Sequence, residues 1–195
     1  LLIDLHGFLF LAWLVADVTG ILNQPFNEGT LADFVRESVA LPAPSRLSAN
    51  WIGNLFTYQF VHFNFAEFTL SMGVLWFFGH ILASFVGERR VVILYLVTTI
   101  VAAVAFLTSH FVFAVFSGSD TIMEGAFAGA LAVMTAVAVF LRSYSLCLSR
   151  KLSLSFPVIY VLILLISVPL IFKSSMAYVF IYCSSICIGA KYAWG

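Results

Sequence analysis

Few residues in this 195-residue chain are able to do chemistry, because only 9% of it is charged. The densest group lies in Phe56–Arg90, an apolar stretch whose first half carries His62, Asn64, Glu67 and Ser71. Asn64, Glu67 and Ser71 fall at i, i+3 and i+7, one stripe of a helix. A membrane helix does not turn such a stripe towards lipid, so this face must look into protein or a wet cavity. Glu124 is the second isolated carboxylate. It follows Thr121 by three residues, the spacing of a capping box, with its charge near the positive end of a helix. Glu67 lies inside an apolar run, and its structural role would be a protonated carboxyl bonded to Ser71, Tyr182 or backbone. His62 reads as a satisfied helix-end histidine and Tyr182 as a donor on a packed face. Two carboxylates and one histidine at unlike spacings fall short of a metal-ligand motif, and no metal or cofactor is expected.

The elements that must position these groups follow from composition. Hydrophobic residues make up 63% of the chain and the mean hydropathy is +1.09, values that exclude an ordinary soluble domain. The expected class is all-α: a polytopic membrane protein with spans near 2–21, 54–85, 91–116, 122–142, 156–172 and 175–194. The formal net charge is zero, which gives no signal for a nucleic-acid partner. With the start of the first span in the cytoplasm, that side holds Arg89, Arg90, Arg142, Arg150, Lys151 and Lys191. The other side holds Arg36, Arg46 and Lys173, and six basic residues against three favours this orientation. The chain begins at Leu1 and not at Met, so further N-terminal residues are expected. No small-residue cleavage site follows the apolar run of Leu1–Ile21, which argues against a cleaved signal peptide.

Along the chain, Asp4, His6 and Asp17 read as interface anchors at the ends of the first span. The connection 22–50 would lie outside the cytoplasm. Within it Thr30–Ala40 is amphipathic, opened by a Thr30/Asp33 capping box and stopped by Leu41-Pro42-Ala43-Pro44. The third span is nearly all apolar and the best candidate to face lipid. Ser117–Asp120 reads as a tight turn. The fourth span is rich in small residues, with Gly125 and Gly129 one turn apart, and the sixth carries Tyr182, Ser185 and Gly189 on one stripe. These small residues let helices approach closely, so the fourth and sixth spans should be partners. Ser143–Ser155 is polar, basic and expected in the cytoplasm, Pro157 opens the fifth span and Pro169 bends or ends it. Cys147, Cys183 and Cys187 read as buried free thiols. No repeat or linker is visible, so 1–195 reads as one domain.

Phe56-Thr57, His62, Leu75-Trp76, Gly79, Gly87, the basic residues after it and Tyr95 together resemble the rhomboid family of intramembrane serine proteases in its six-helix form. The glycine-bearing fourth span and the small-residue sixth fall in the matching order. The family places a serine nucleophile in G-x-S-G at the start of the fourth helix. A histidine base lies in H-x-x-G-x-x-x-G of the sixth, and an H-x-x-x-N pair in the second helps hold the oxyanion. Here the nucleophile position reads Glu124, followed by Gly125. The base position reads Tyr182, ahead of Ser185 and Gly189, and the oxyanion pair reads Glu67 and Ser71. The Trp-Arg motif of the first loop is missing, and Ala83 stands where the family usually has glutamate.

The resemblance therefore implies a pseudoprotease. It would bind transmembrane segments of clients or partner subunits in a bacterial inner membrane, through the lateral opening rhomboids use for substrates. The alternatives are an accessory subunit of a larger membrane complex, and a proton or cation pathway in which Glu67 and Glu124 converge with His62. The candidate cavity-lining residues are His62, Asn64, Glu67, Ser71, Glu124 and Tyr182. The candidate helix-packing residues are Gly125, Gly129, Ser185 and Gly189.

Overall fold

The computed structural model describes residues 2–26, 29–44, 51–112, 122–149, 152–171 and 177–194. Six of its helices have 14 residues or more: α1 (Leu2–Val18), α4 (Phe65–Val86), α5 (Glu88–Val112), α6 (Phe127–Phe140), α7 (Phe156–Ile171) and α8 (Ala177–Trp194). Between α1 and α4 lie the short helices α2 (Leu31–Val39) and α3 (Trp51–Thr57), and a 3-10 turn at Tyr58–Phe60. Three small antiparallel ladders add to the expected all-α class. They pair β1 (Pro25–Phe26) with β2 (Gly29–Thr30), β3 (Leu41–Pro42) with β4 (Ile122–Met123), and β5 (Ser145–Ser149) with β6 (Leu152–Ser155).

The centre is α6. Every residue from Phe127 to Ala138 is buried, with α8, α5 and α4 packed around it. Small residues make this possible. A Cβ on Gly129 would fall onto the Tyr95 ring and 2.9 Å from the Thr99 methyl group. One on Gly189 would meet the Ala132 carbonyl and lie 2.9 Å from Thr135 Cβ. The α6–α8 pairing therefore follows the stripe read from sequence, with Tyr182 and Ser185 buried beside Gly189. Helices α4 and α5 are joined by Gly87 alone, at φ +86°, a conformation that costs glycine little.

Among the described residues two helices are long and apolar enough to cross a membrane, α4 and α5. At 14 residues α6 extends only about 21 Å. The fourth span expected over 122–142 thus begins late, because Ile122–Met123 is extended and paired with Leu41–Pro42. Gly125 consequently lies outside the helix, at φ +86°, and is a turn residue instead of a packing residue.

Other expectations are corrected in the same way. Helix α5 is not the most lipid-like: Leu94, Tyr95, Thr98, Ala102 and Phe106 bury one face. Helix α7 presents more of itself, with Val158, Val161, Leu162, Leu165 and Ile166 exposed. Helix α7 continues through Pro169 to Ile171. Cys183 and Cys187 are free but exposed, since they lie off the face carrying Tyr182, Ser185 and Gly189. Cys147, Thr121 and the turn Ser117–Asp120 fall outside what is described for side chains or backbone. The 143–155 connection is largely a hairpin, not a simple loop. The reading of Thr30–Asp33 holds: the Thr30 N–H donates to Asp33 Oδ2 at 3.1 Å and the Asp33 N–H to Thr30 Oγ1 at 3.3 Å.

His6 departs furthest from its expected place at the interface. It is fully buried, its Nδ1 2.7 Å from the Leu2 carbonyl and its Nε2 3.0 Å from the Tyr95 hydroxyl. The Gln59 carbonyl lies 3.1 Å from the same nitrogen. This histidine ties α1 to α5 and to the 3-10 turn, and Phe10 stacks on Phe68 of α4 at 4.1 Å. Asp4 and Asp17 remain exposed, as anchors should.

Candidate functional site

The site forms where an extended segment turns into α6. That turn, Glu124–Ala126, is non-helical backbone inside an apolar protein, so its amides need protein partners. Two of these amides, and the strand just before them, find partners in remote parts of the chain. Met123 and Ile122 pair with Leu41 and Pro42. The Gly125 N–H donates to the Tyr58 carbonyl at 3.0 Å, and the Ala126 N–H donates to His62 Nε2 at 3.1 Å. Tyr58 is itself fixed, its hydroxyl donating to the Thr99 carbonyl at 2.6 Å. Asn54 adds a further anchor, donating to the Ala40 carbonyl next to β3 at 2.9 Å.

His62 is thus an acceptor at Nε2, which puts its proton on Nδ1. It occupies the connection before α4 and is buried. Burial, and then the His6 ring 5.7 Å away, hold its pKa well below the ordinary value, at about 3. Protonating it would also remove the acceptor that holds Ala126. His62 therefore stands at a helix end, that of α6 across the bundle, but it is not the satisfied histidine expected, since its Nδ1 is buried without a partner among the described residues.

Asn64 is the N-cap of α4, its side chain accepting from the Ala66 N–H at 2.8 Å, and it is not a cavity residue. Glu67 sits in the first turn of α4 and its carboxyl turns onto the Glu124 segment. Glu67 Oε1 would be 2.6 Å from a Cβ on Gly125, and the His62 ring 3.5 Å. Of the partners expected for the Glu67 carboxyl, Ser71 is excluded, because its Oγ is buried without a partner among the described residues.

Glu67, Glu124, Gly125 and Tyr182 line one small pocket, closed by Met123 and Phe127. Tyr182 is buried and meets Phe127 edge-on at 5.7 Å between ring centres. The pocket offers about 10 Å³, room for at most about one water. Three of the six candidate cavity residues therefore converge: Glu67, Glu124 and Tyr182. His62 stands behind Gly125, while Ser71 and Asn64 are outside the lining. Glu124 is not the third residue of a helix, as the capping-box spacing suggested, because α6 starts at Phe127 with Ala126 as N-cap. Among the described residues no group of three or more histidine, cysteine or acidic side chains is placed to hold a metal ion.

Tyr58, Asn54 and the Leu41–Pro42 strand were not visible as site residues in the sequence. Tyr58 and the strand act through backbone groups and Asn54 through its side-chain amide, each on a partner remote in sequence that residue types do not announce.

None of the characterised proteins compared with the chain matches it in sequence. A family model for the rhomboid domain matches residues 49–193, which takes in α3 to α8 and every lining residue of the pocket. With that match over more than half its length, the chain belongs to the rhomboid family and is an integral membrane protein.

Proposed function

We propose that this protein is a rhomboid pseudoprotease that binds transmembrane segments of client proteins or partner subunits without cleaving them. In this reading α1, α4, α5, α6, α7 and α8 cross a bacterial inner membrane, with the start of α1 and the β5–β6 hairpin in the cytoplasm. The single observation that supports it is the convergence of Glu67, Glu124 and Tyr182 on one pocket. By the resemblance these are the oxyanion, nucleophile and base positions. An acyl-enzyme requires a nucleophile activated by a base within hydrogen-bond reach. A carboxylate is a poor acyl nucleophile, and tyrosine, with an unperturbed pKa near 10, is no neutral-pH base. An ionised carboxylate at Glu67 or Glu124 would also repel a developing oxyanion. What the family fold retains is its helix-lined interior and an exposed, apolar α7 beside it.

The test is isolation of the full chain from its native membranes in mild detergent, with the bound proteins identified and their termini mapped. Intact single-span proteins, or a stoichiometric membrane partner, support the binding reading. Recovery of clients only as fragments cut within their membrane segments would overturn it, and so would recovery of the chain with lipid alone.

A further inference from the structure

A second, wider hollow is unrelated to the Glu67–Glu124 pocket. It is a groove of about 620 Å³ at the end of the bundle where α4 finishes, α5 starts and α6 and α8 finish. Its walls are apolar: Ile93, Val97, Phe140 and Ile188. Two cations stand at its mouth, Arg90 in the first turn of α5 and Lys191 in the last turn of α8. Both are exposed, and neither has an acidic partner among the described residues. The nearest acidic residue in sequence, Glu88, lines a different groove, together with Asp4 and His80.

The geometry points to an anionic phospholipid as the occupant of this groove. Its phosphate would sit between Arg90 and Lys191, and one acyl chain would run along Ile93 and Val97 towards Phe140. From Arg90 to Val97 the helix rises about 10 Å, so the polar and apolar ends are separated as they are in a lipid. The volume falls within the usual range for small-molecule sites, about 300–1,000 Å³. Basic pockets between membrane helices bind anionic headgroups on the cytoplasmic side, and that is the side to which the basic residues assign this end. The inference does not depend on whether the Glu67–Glu124 pocket cleaves peptides. It commits to lipid in preference to free phosphate because the greater part of the groove is hydrocarbon-lined.

Native mass spectrometry of the detergent-purified full chain tests it, with phosphatidylglycerol and phosphatidylcholine of identical acyl chains as probes. The wild type should retain phosphatidylglycerol preferentially. Arg90→Gln and Lys191→Gln should each weaken that preference about fivefold, and the pair about 25-fold. Arg142→Gln, an exposed cation outside the groove lining, should leave it unchanged. Val97→Phe, a substitution at an exposed wall position, should lower retention without altering charge. Equal retention of the two lipids by the wild type, or an undiminished preference in the paired variant, overturns the assignment. Displacement of phosphatidylglycerol by inorganic phosphate alone would also overturn it, by making the site one for free phosphate.

Discussion

Gly125→Ala perturbs the turn on which the pocket is built. Gly125 has φ +86°, and an L-residue in left-handed backbone costs roughly 1–2 kcal/mol. The added Cβ would stand 2.6 Å from Glu67 Oε1 and 3.5 Å from the His62 ring. The carboxyl is the end of a flexible side chain and swings away for less than about 1 kcal/mol, an off-rotamer cost. The total is about 1–3 kcal/mol, or roughly 2–4 °C of melting temperature per kcal/mol for a domain of this size. Thermal unfolding in detergent reads it, and a double-mutant cycle divides it. In a Glu67→Ala background the alanine should cost less by up to about 1 kcal/mol, because the carboxyl is gone. The backbone share should remain. A neutral Gly125→Ala would refute the left-handed turn. A cost that vanishes entirely with Glu67→Ala would show that the backbone carries no strain there.

Gly189→Ala should be more damaging than its one methyl group suggests, since the Cβ meets the Ala132 backbone, which has no rotamer to change; about 1–3 kcal/mol of destabilisation is expected in the same melts. The depressed value of His62 sets a pH dependence. Between its folded value of about 3 and the ordinary 6.5 the unfolded chain takes up the proton and the folded one does not. Stability should therefore fall as pH drops below about 6.5, by at most about 1.4 kcal/mol per unit, and His62→Gln should show a shallower slope between pH 7.5 and 5. Identical slopes for the two proteins would remove His62 from that role. In intact cells an impermeant thiol reagent should label a cysteine introduced at Glu28 and spare one at Ser149; the reverse pattern contradicts the proposed orientation.

Much of this architecture was legible because membrane helices announce themselves by apolar runs and their partners by small residues. Gly129, Ser185 and Gly189 pointed to the α6–α8 contact, and lipid offers no competing reason for such a stripe. The same stripe carried information about Cys183 and Cys187: at about 100° per residue they lie off its face and turn outward. The 145–155 segment was also readable as strand, from the alternation of Ser145, Leu146, Cys147 and Leu148, then Leu152, Ser153 and Leu154. What local pattern could not give was the start of α6. Residues 122–126 suit a helix as well as a strand, and the choice is made by Leu41–Pro42, Tyr58 and His62, all distant in sequence. His6 was misplaced for a like reason, since Asp4 beside it suggests water while its partners Gln59 and Tyr95 are remote. The convergence of Glu67, Glu124 and Tyr182 was legible only through the family resemblance, as their spacings share no period.

On the reading proposed above, this rhomboid-family protein carries no peptidase chemistry. The most direct test is a cleavage assay with the purified chain in liposomes, using transmembrane rhomboid substrates and a serine-directed activity probe. No cleavage and no labelling at position 124 are expected. None is expected for Glu124→Ser either, since Tyr182 still supplies no neutral-pH base and Glu67 and Ser71 still stand in place of the oxyanion pair. Cleavage by the unaltered protein that Glu124→Ala abolishes would contradict it.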